Sequence, residues 1–337
     1  MNSIRRITAT LKGEPPDRVP VIAQVFGRAA GEGGTRLGEY LRDGKTLARC
    51  QIAALERYGY DAVFALMDTS VETEAAGSAL SYSEDRYPVV DTYALPDARH
   101  LDRLRQPDPA RDGRMPELLR AAGILREEVG DETLVVGCVL GPLTITTQLL
   151  GMEKALYLAV DEPGQFAAVL DFATGIATTF GRAQIDAGVH LPVVFDPSAS
   201  PAVVPPPFFR EIELPRLREL FSAFKTGGSA ANWLHIPGPI APILPLYSRA
   251  GVEIANFDYP VSAGSAMHAL PETCLDGNIK SLSFVTASEE SIAREAGALL
   301  DAFSSRGRFI LSSGCEIPLE AEDGNIAAMV GAVRERG

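Results

Sequence analysis

The chain has 337 residues, 46% hydrophobic and 22% charged, a balance that excludes long disorder and allows one large core or two smaller ones. Its formal charge of −13 would repel phosphate backbones and anionic lipid headgroups, and no Lys/Arg block offsets it locally, so neither nucleic acid nor a membrane surface is expected as a partner. Met1–Arg6 runs into Thr8, Lys12 and Glu14 before any apolar stretch long enough for a signal peptide or membrane span, and Cys50, Cys138, Cys274 and Cys315 are too dispersed for a disulfide framework; a cytoplasmic protein with free or metal-binding thiols is expected.

Residues 1–18 read as an N-terminal helix and a proline-rich turn packed on the body of the domain. From Val19 onward, short apolar runs alternate with segments of helical period, as when helices cover a parallel sheet. Eight strands are predicted: Val19–Phe26, Asp61–Asp68, Thr133–Gly141, Leu191–Asp196, Ala231–Ile236, Val252–Asp258, Thr273–Asn278 and Arg308–Ser313. The helical stretches between them include Leu37–Tyr58, Met115–Glu128, Pro163–Asp186, Pro207–Lys225, Ile240–Ala250 and Glu289–Arg306. Pro163 and Pro207 suit first helical turns, and Gly59, Gly130, Gly188, Gly227, Gly251 and Gly307 follow helix ends. Eight βα units favour a single α/β domain over residues 1–337, closed as a (β/α)8 TIM barrel with an N-terminal helical extension.

In such a barrel the interior is filled by side chains, so chemistry is confined to the C-terminal strand ends and the loops after them. Those ends carry Gln24 with Gly27-Arg28, Met67-Asp68, Gly141-Pro142-Leu143-Thr144 and Phe195-Asp196-Pro197-Ser198. They continue with His235-Ile236-Pro237-Gly238, Asn256-Phe257-Asp258, Asp276-Gly277-Asn278 and Ser313-Gly314-Cys315-Glu316. Singly, Asp196, Asp258 and Asp276 read as helix caps, His235 as a structural histidine and Cys315 as a small hydrophobe. Together, at matching ends of facing strands, they read as an active site.

At these residues the chain resembles the uroporphyrinogen decarboxylase superfamily over nearly its whole length, and within it the methylcobalamin:coenzyme M methyltransferases and related corrinoid-linked methyltransferases. Besides the segments above, the resemblance rests on Tyr60-Asp61-Ala62-Val63, Ala76-Gly77, Leu275-Asp276-Gly277-Asn278-Ile279, Ile317-Pro318 and Asn325-Ile326. It implies two chemistries. Decarboxylases of the superfamily hold an acidic tetrapyrrole with paired arginines and an Asp, helped by Tyr and His. Here Gln24 takes the first arginine's place, while Arg28 and Asp68 match the second arginine and the Asp. Gln148 replaces the Tyr, Pro197 a Ser, and Cys315 the His. A polycarboxylate needs bidentate arginine contacts, so these departures weigh against uroporphyrinogen decarboxylation.

The methyltransferase branch implies zinc at the barrel mouth, held by a His-X-Cys pair after the fifth strand and a Cys after the eighth, leaving one position where a substrate thiol is kept as thiolate. His235 and Cys315 match the outer ligands, but Pro237 stands where the middle cysteine belongs. Asp196, Asp258 or Glu316 are the candidate substitutes. On this reading the catalytic residues are Arg28, Asp68 and Asp196, and Gln24, Thr144, Gln148, Asp258 and Asn278 bind a small-molecule substrate. The methyl group is exchanged with a corrinoid on a separate protein acting in trans. Two other readings stay open: a lyase in which Arg28 holds a substrate carboxylate and Asp68 stabilises a developing cation, and a non-catalytic corrinoid- or tetrapyrrole-binding barrel. The resemblance also suggests a homodimer.

Overall fold

The computed structural model describes residues 1–335 and places eight parallel strands around a barrel. In chain order the strands are β1 (Val21–Ile22), β2 (Ala62–Ala65), β3 (Ala79–Ser81), β4 (Val89–Thr92), β5 (Leu134–Leu140), β6 (Leu191–Phe195), β7 (Trp233–His235), β8 (Ile254–Asn256), β9 (Cys274–Ile279) and β10 (Phe309–Ser313). The barrel order is β1-β10-β9-β8-β7-β6-β5-β2, while β3 and β4 form a separate antiparallel hairpin. Each of the eight predicted strands is present, most of them shortened at the ends, while β9 runs one residue further than expected, to Ile279. Their residues are buried on both faces, which is why they appear in sequence as continuous apolar runs rather than alternating ones.

The seam between β1 and β2 is closed by Asp61. Its amide donates to the Val21 carbonyl at 2.7 Å, and its carboxylate accepts the Val21 amide at 2.8 Å. The same fully buried carboxylate pairs with Arg6 of the N-terminal helix Ser3–Lys12 at 2.6 Å and with Arg18 at 2.7 Å. The N-terminal segment is thereby tied to the barrel by charge as well as by packing.

The helical layer follows the predicted pattern with three differences. The stretch 37–58 is split, because the Asp43 side chain accepts the Thr46 amide at 2.7 Å and caps a new start for the helix Gly44–Tyr58. Ahead of the helix Leu214–Thr226, residues Phe209–Glu213 wind as a π turn; Pro215, which lacks an amide proton, interrupts the regular ladder at this point. The segment after β7 yields only short turns at Leu244–Leu246 and Tyr247–Ala250, since Pro242 and Pro245 deny it a longer helix.

Aromatic rings from facing strands meet through the barrel interior. Phe26 lies 4.9 Å from Phe64 and 5.8 Å from Phe195 between ring centroids, Phe64 lies 6.3 Å from Trp233, and Phe195 lies 4.6 Å from the His235 ring. This layer forms a floor beneath the C-terminal mouth.

Candidate active site

Above that floor is a cavity of about 190 Å³. Its walls come from the C-terminal ends of five strands and from the hairpin loop: Phe26, Leu66, Met67, Asp68, Thr69, Tyr87, Phe195, Pro197, His235, Pro237, Cys315 and Glu316. His235, the last residue of β7, is almost fully buried, and neither of its ring nitrogens has a hydrogen-bond partner among the described residues. Burial pushes its pKa down to about 3, so the ring is neutral. Cys315 follows β10 and is half-buried; the Ser281 hydroxyl fixes its backbone by accepting its amide at 3.1 Å and donating to its carbonyl at 2.9 Å. Burial pushes the Cys315 thiol up to about 11, leaving it protonated at neutral pH.

Asp68 also lines the cavity, but its carboxylate is fully engaged. Arg114 donates through both terminal nitrogens, Nη2 at 3.2 Å, and Ser70 donates through its amide at 2.9 Å and its hydroxyl at 2.5 Å. Arg114 is held in turn by Glu74 at 2.6 Å and by the Leu41 carbonyl at 2.9 Å.

Thr144 and Gln148 stand further out. They line a neighbouring crevice of about 530 Å³ that shares Thr69 and Pro197 with the cavity. Gln148 spans the crevice wall, donating to the Thr69 carbonyl at 2.8 Å and accepting the Thr73 hydroxyl at 3.0 Å.

Five of the predicted site residues face elsewhere. Arg28 begins a helical turn and points to the outer rim, where it donates to Glu32 at 3.1 Å, to the Ala321 carbonyl at 3.2 Å and to Asp323. Asp196 points behind β6 and accepts the Thr144 amide at 2.9 Å and hydroxyl at 2.7 Å, capping the helix Pro142–Leu150 from the next strand. Its buried neighbour Glu213, from the π turn, is held well above the usual carboxylate range by desolvation and by the Asp196 charge. Asp258 accepts the Gly238 amide at 2.9 Å and the Tyr259 amide at 2.7 Å, tying together two loops of the mouth. Asn278 donates to the Val261 carbonyl at 2.8 Å, and Gln24 donates to the Ser313 carbonyl at 3.0 Å. Asp276 caps no helix. It lies in the barrel interior beside Asn256 at 3.0 Å, and burial pushes it up to about 7.

Two wall residues have roles that the strand-end reading did not bring out. Tyr87 arrives on the β3–β4 hairpin, donates to Glu316 and accepts the Gly27 amide at 2.9 Å, closing the cavity from above. Glu316 is pushed up to about 7 by burial. Glu316 follows Cys315 and so was visible as a neighbour, whereas Tyr87 lies in a polar hairpin far from any strand end.

The wall also tests the expected metal. A zinc ion that leaves one position open to substrate takes three protein donors. Here Pro237 offers none, Asp196 and Asp258 are not among the residues lining the cavity, and Glu316 receives the Tyr87 hydroxyl. Among the described residues no group of three or more His, Cys, Asp or Glu is disposed to hold a metal ion, so His235 and Cys315 do not make up the expected set.

The sequence matches the family described as Uroporphyrinogen decarboxylase (URO-D) over residues 2–336. It is 28% identical to the methylcobamide:CoM methyltransferase MtaA of Methanosarcina barkeri, covering 97% of this chain and 96% of that protein. It is 25% identical to a uroporphyrinogen decarboxylase of Ruegeria pomeroyi, over 99% of this chain and 100% of the relative. A solved methyltransferase from Methanosarcina mazei superposes with a TM-score of 0.91 at 26% identity, covering 100% of this chain and 99% of its own. No helix among the described residues is long and apolar enough to cross a membrane. With a family match spanning almost every residue and a barrel that superposes along its full length, the chain belongs to the uroporphyrinogen decarboxylase (URO-D) family.

Proposed function

We propose that this chain is a corrinoid-linked methyltransferase that moves a methyl group to or from a small thiol-type nucleophile in the barrel-mouth cavity, with the corrinoid carried by a separate protein. The observation that carries this reading is that one small cavity holds both the Cys315 thiol and a buried imidazole with no hydrogen-bond partner among the described residues. A buried, unpaired imidazole is costly unless a ligand supplies its hydrogen bond. A bound thiol would supply it, its S–H donating to a nitrogen of His235 while apolar walls exclude water from the sulfur. In the forward direction an S–CH3 bond forms while the substrate S–H proton, made strongly acidic by the positive charge developing on sulfur, passes to that imidazole, and the electron pair of the broken methyl bond stays with the leaving group. A corrinoid supplies, when bound, the methyl group and the site that keeps that electron pair. The expected zinc set is incomplete, so each of these steps is assigned to the chain's own residues.

The names of the methyltransferase relatives agree with this reading. The decarboxylase alternative finds less support. A tetrapyrrole with many carboxylates needs basic side chains, yet among the described residues no Lys or Arg lines the cavity, and Arg28 is bound to Glu32 and Asp323 on the rim. The test is to incubate the purified protein with methylcobalamin and 2-mercaptoethanol, and separately with uroporphyrinogen. Thiol-dependent loss of the methylcobalamin absorbance is expected. Carbon dioxide release from uroporphyrinogen without methyl transfer would overturn the proposal.

A further inference from the structure

The cavity and the crevice beside it share an electrostatic property that selects among thiols. Among the described residues two of the wall are acidic, Asp68 and Glu316, and none is basic. The neighbouring crevice, which shares Thr69 and Pro197 with the cavity, is lined among the described residues by hydroxyl, amide and apolar side chains with no charged residue. The guanidinium groups of Arg114 and Arg28 are already committed. Arg114 is clamped between Asp68 and Glu74, and Arg28 is turned outward onto Glu32 and Asp323. A carboxylate, sulfonate or phosphate brought into this space would shed its hydration without gaining a cationic partner, and it would meet two carboxyl groups on the wall.

From this we infer that the thiol-type substrate of the site carries no anionic group: its non-reacting end is uncharged and small enough for a cavity of about 190 Å³. The inference rests on the methyl-transfer reading above and narrows its substrate class. It also separates this chain from a barrel built to hold an acidic molecule.

A pair of two-carbon thiols tests it. 2-Mercaptoethanol and 2-mercaptoethanesulfonate differ in carrying a hydroxyl or a sulfonate, and their uncatalysed reaction with methylcobalamin provides the baseline for each. The expected result is a kcat/KM for 2-mercaptoethanol at least about tenfold above that for the sulfonate, the equivalent of ~1.4 kcal/mol in transition-state binding. Placing a cation where crevice and cavity meet, with Thr69→Arg, should shift the ratio toward the sulfonate. A wild-type preference for the sulfonate would overturn the inference while leaving methyl transfer intact. Failure of both thiols to accept a methyl group would overturn the methyl-transfer reading, and the inference with it.

Discussion

His235 and Arg28 illustrate what a side chain's surroundings decide. His235 is surrounded by Phe195 and other apolar walls, which keep it neutral and leave both nitrogens for a ligand. Arg28, which the sequence resemblance matched to a substrate-binding arginine, spends its guanidinium on Glu32, one helical turn away, and on Asp323. Both acids also pair with Arg57, so the cluster is a structural clamp between the first βα unit and the last helix, Asp323–Arg334. Arg28→Gln is therefore expected to cost about 1–2 kcal/mol of stability, read from urea unfolding, because a mostly buried guanidinium loses partners that Arg57 still holds in part. An unchanged unfolding midpoint would show that the clamp contributes nothing. The residue types at the strand ends were legible in the sequence, and His235 and Cys315, expected there as ligands of one metal, line one cavity. The direction of Arg28 was not, because strand-end position says nothing about which way a side chain turns once a helical turn begins. The Asp196 carboxylate escaped for a related reason: the amide it caps belongs to the preceding βα unit, 52 residues away in sequence.

Among the elements, the barrel strands were the most legible, because double burial writes each as an apolar run bounded by turn residues. The β3–β4 hairpin was not. Its residues are largely exposed, their alternation is short, and the structural interest of the loop lies in one side chain, Tyr87. β1 was expected to be long and has only two residues, since beyond Ile22 the chain bends toward the mouth to place Gln24 and Phe26. Such a short strand relies on its neighbour, and Asp61 supplies the reinforcement through the Val21 amide, Arg6 and Arg18. Asp61→Asn retains the shape but removes the buried charge that both arginines face. A loss of about 3–5 kcal/mol is expected, measured by urea unfolding, because a pair broken inside the protein leaves its partner's charge uncompensated. A loss below about 1 kcal/mol would mean that the seam is held by packing alone.

At the scale of the molecule, the barrel buries ionisable groups whose protonation is coupled to folding. Asp276 is raised from 3.8 to about 7, so its stabilising protonated form is fully present below about pH 4 and is lost as pH rises through 7. His235 acts in the opposite direction: its value falls from 6.5 to about 3, so stability is lost as pH drops below 6.5 and the unfolded chain takes up the proton. Asp276→Asn should remove the alkaline loss only. Its unfolding free energy should match the wild type near pH 4 and exceed it by about 2–4 kcal/mol at pH 8, and a gap that does not widen with pH would refute the assignment. The same low-dielectric interior that produces these shifts makes the mouth cavity a place where a sulfur can react away from water. The most direct test of that claim is the rate of methyl transfer from methylcobalamin to 2-mercaptoethanol in the wild type and in His235→Asn, with both variants matched for folding by their melting curves. A fall on the order of 10²-fold or more is predicted for the asparagine variant; a wild-type rate without the imidazole would contradict the account.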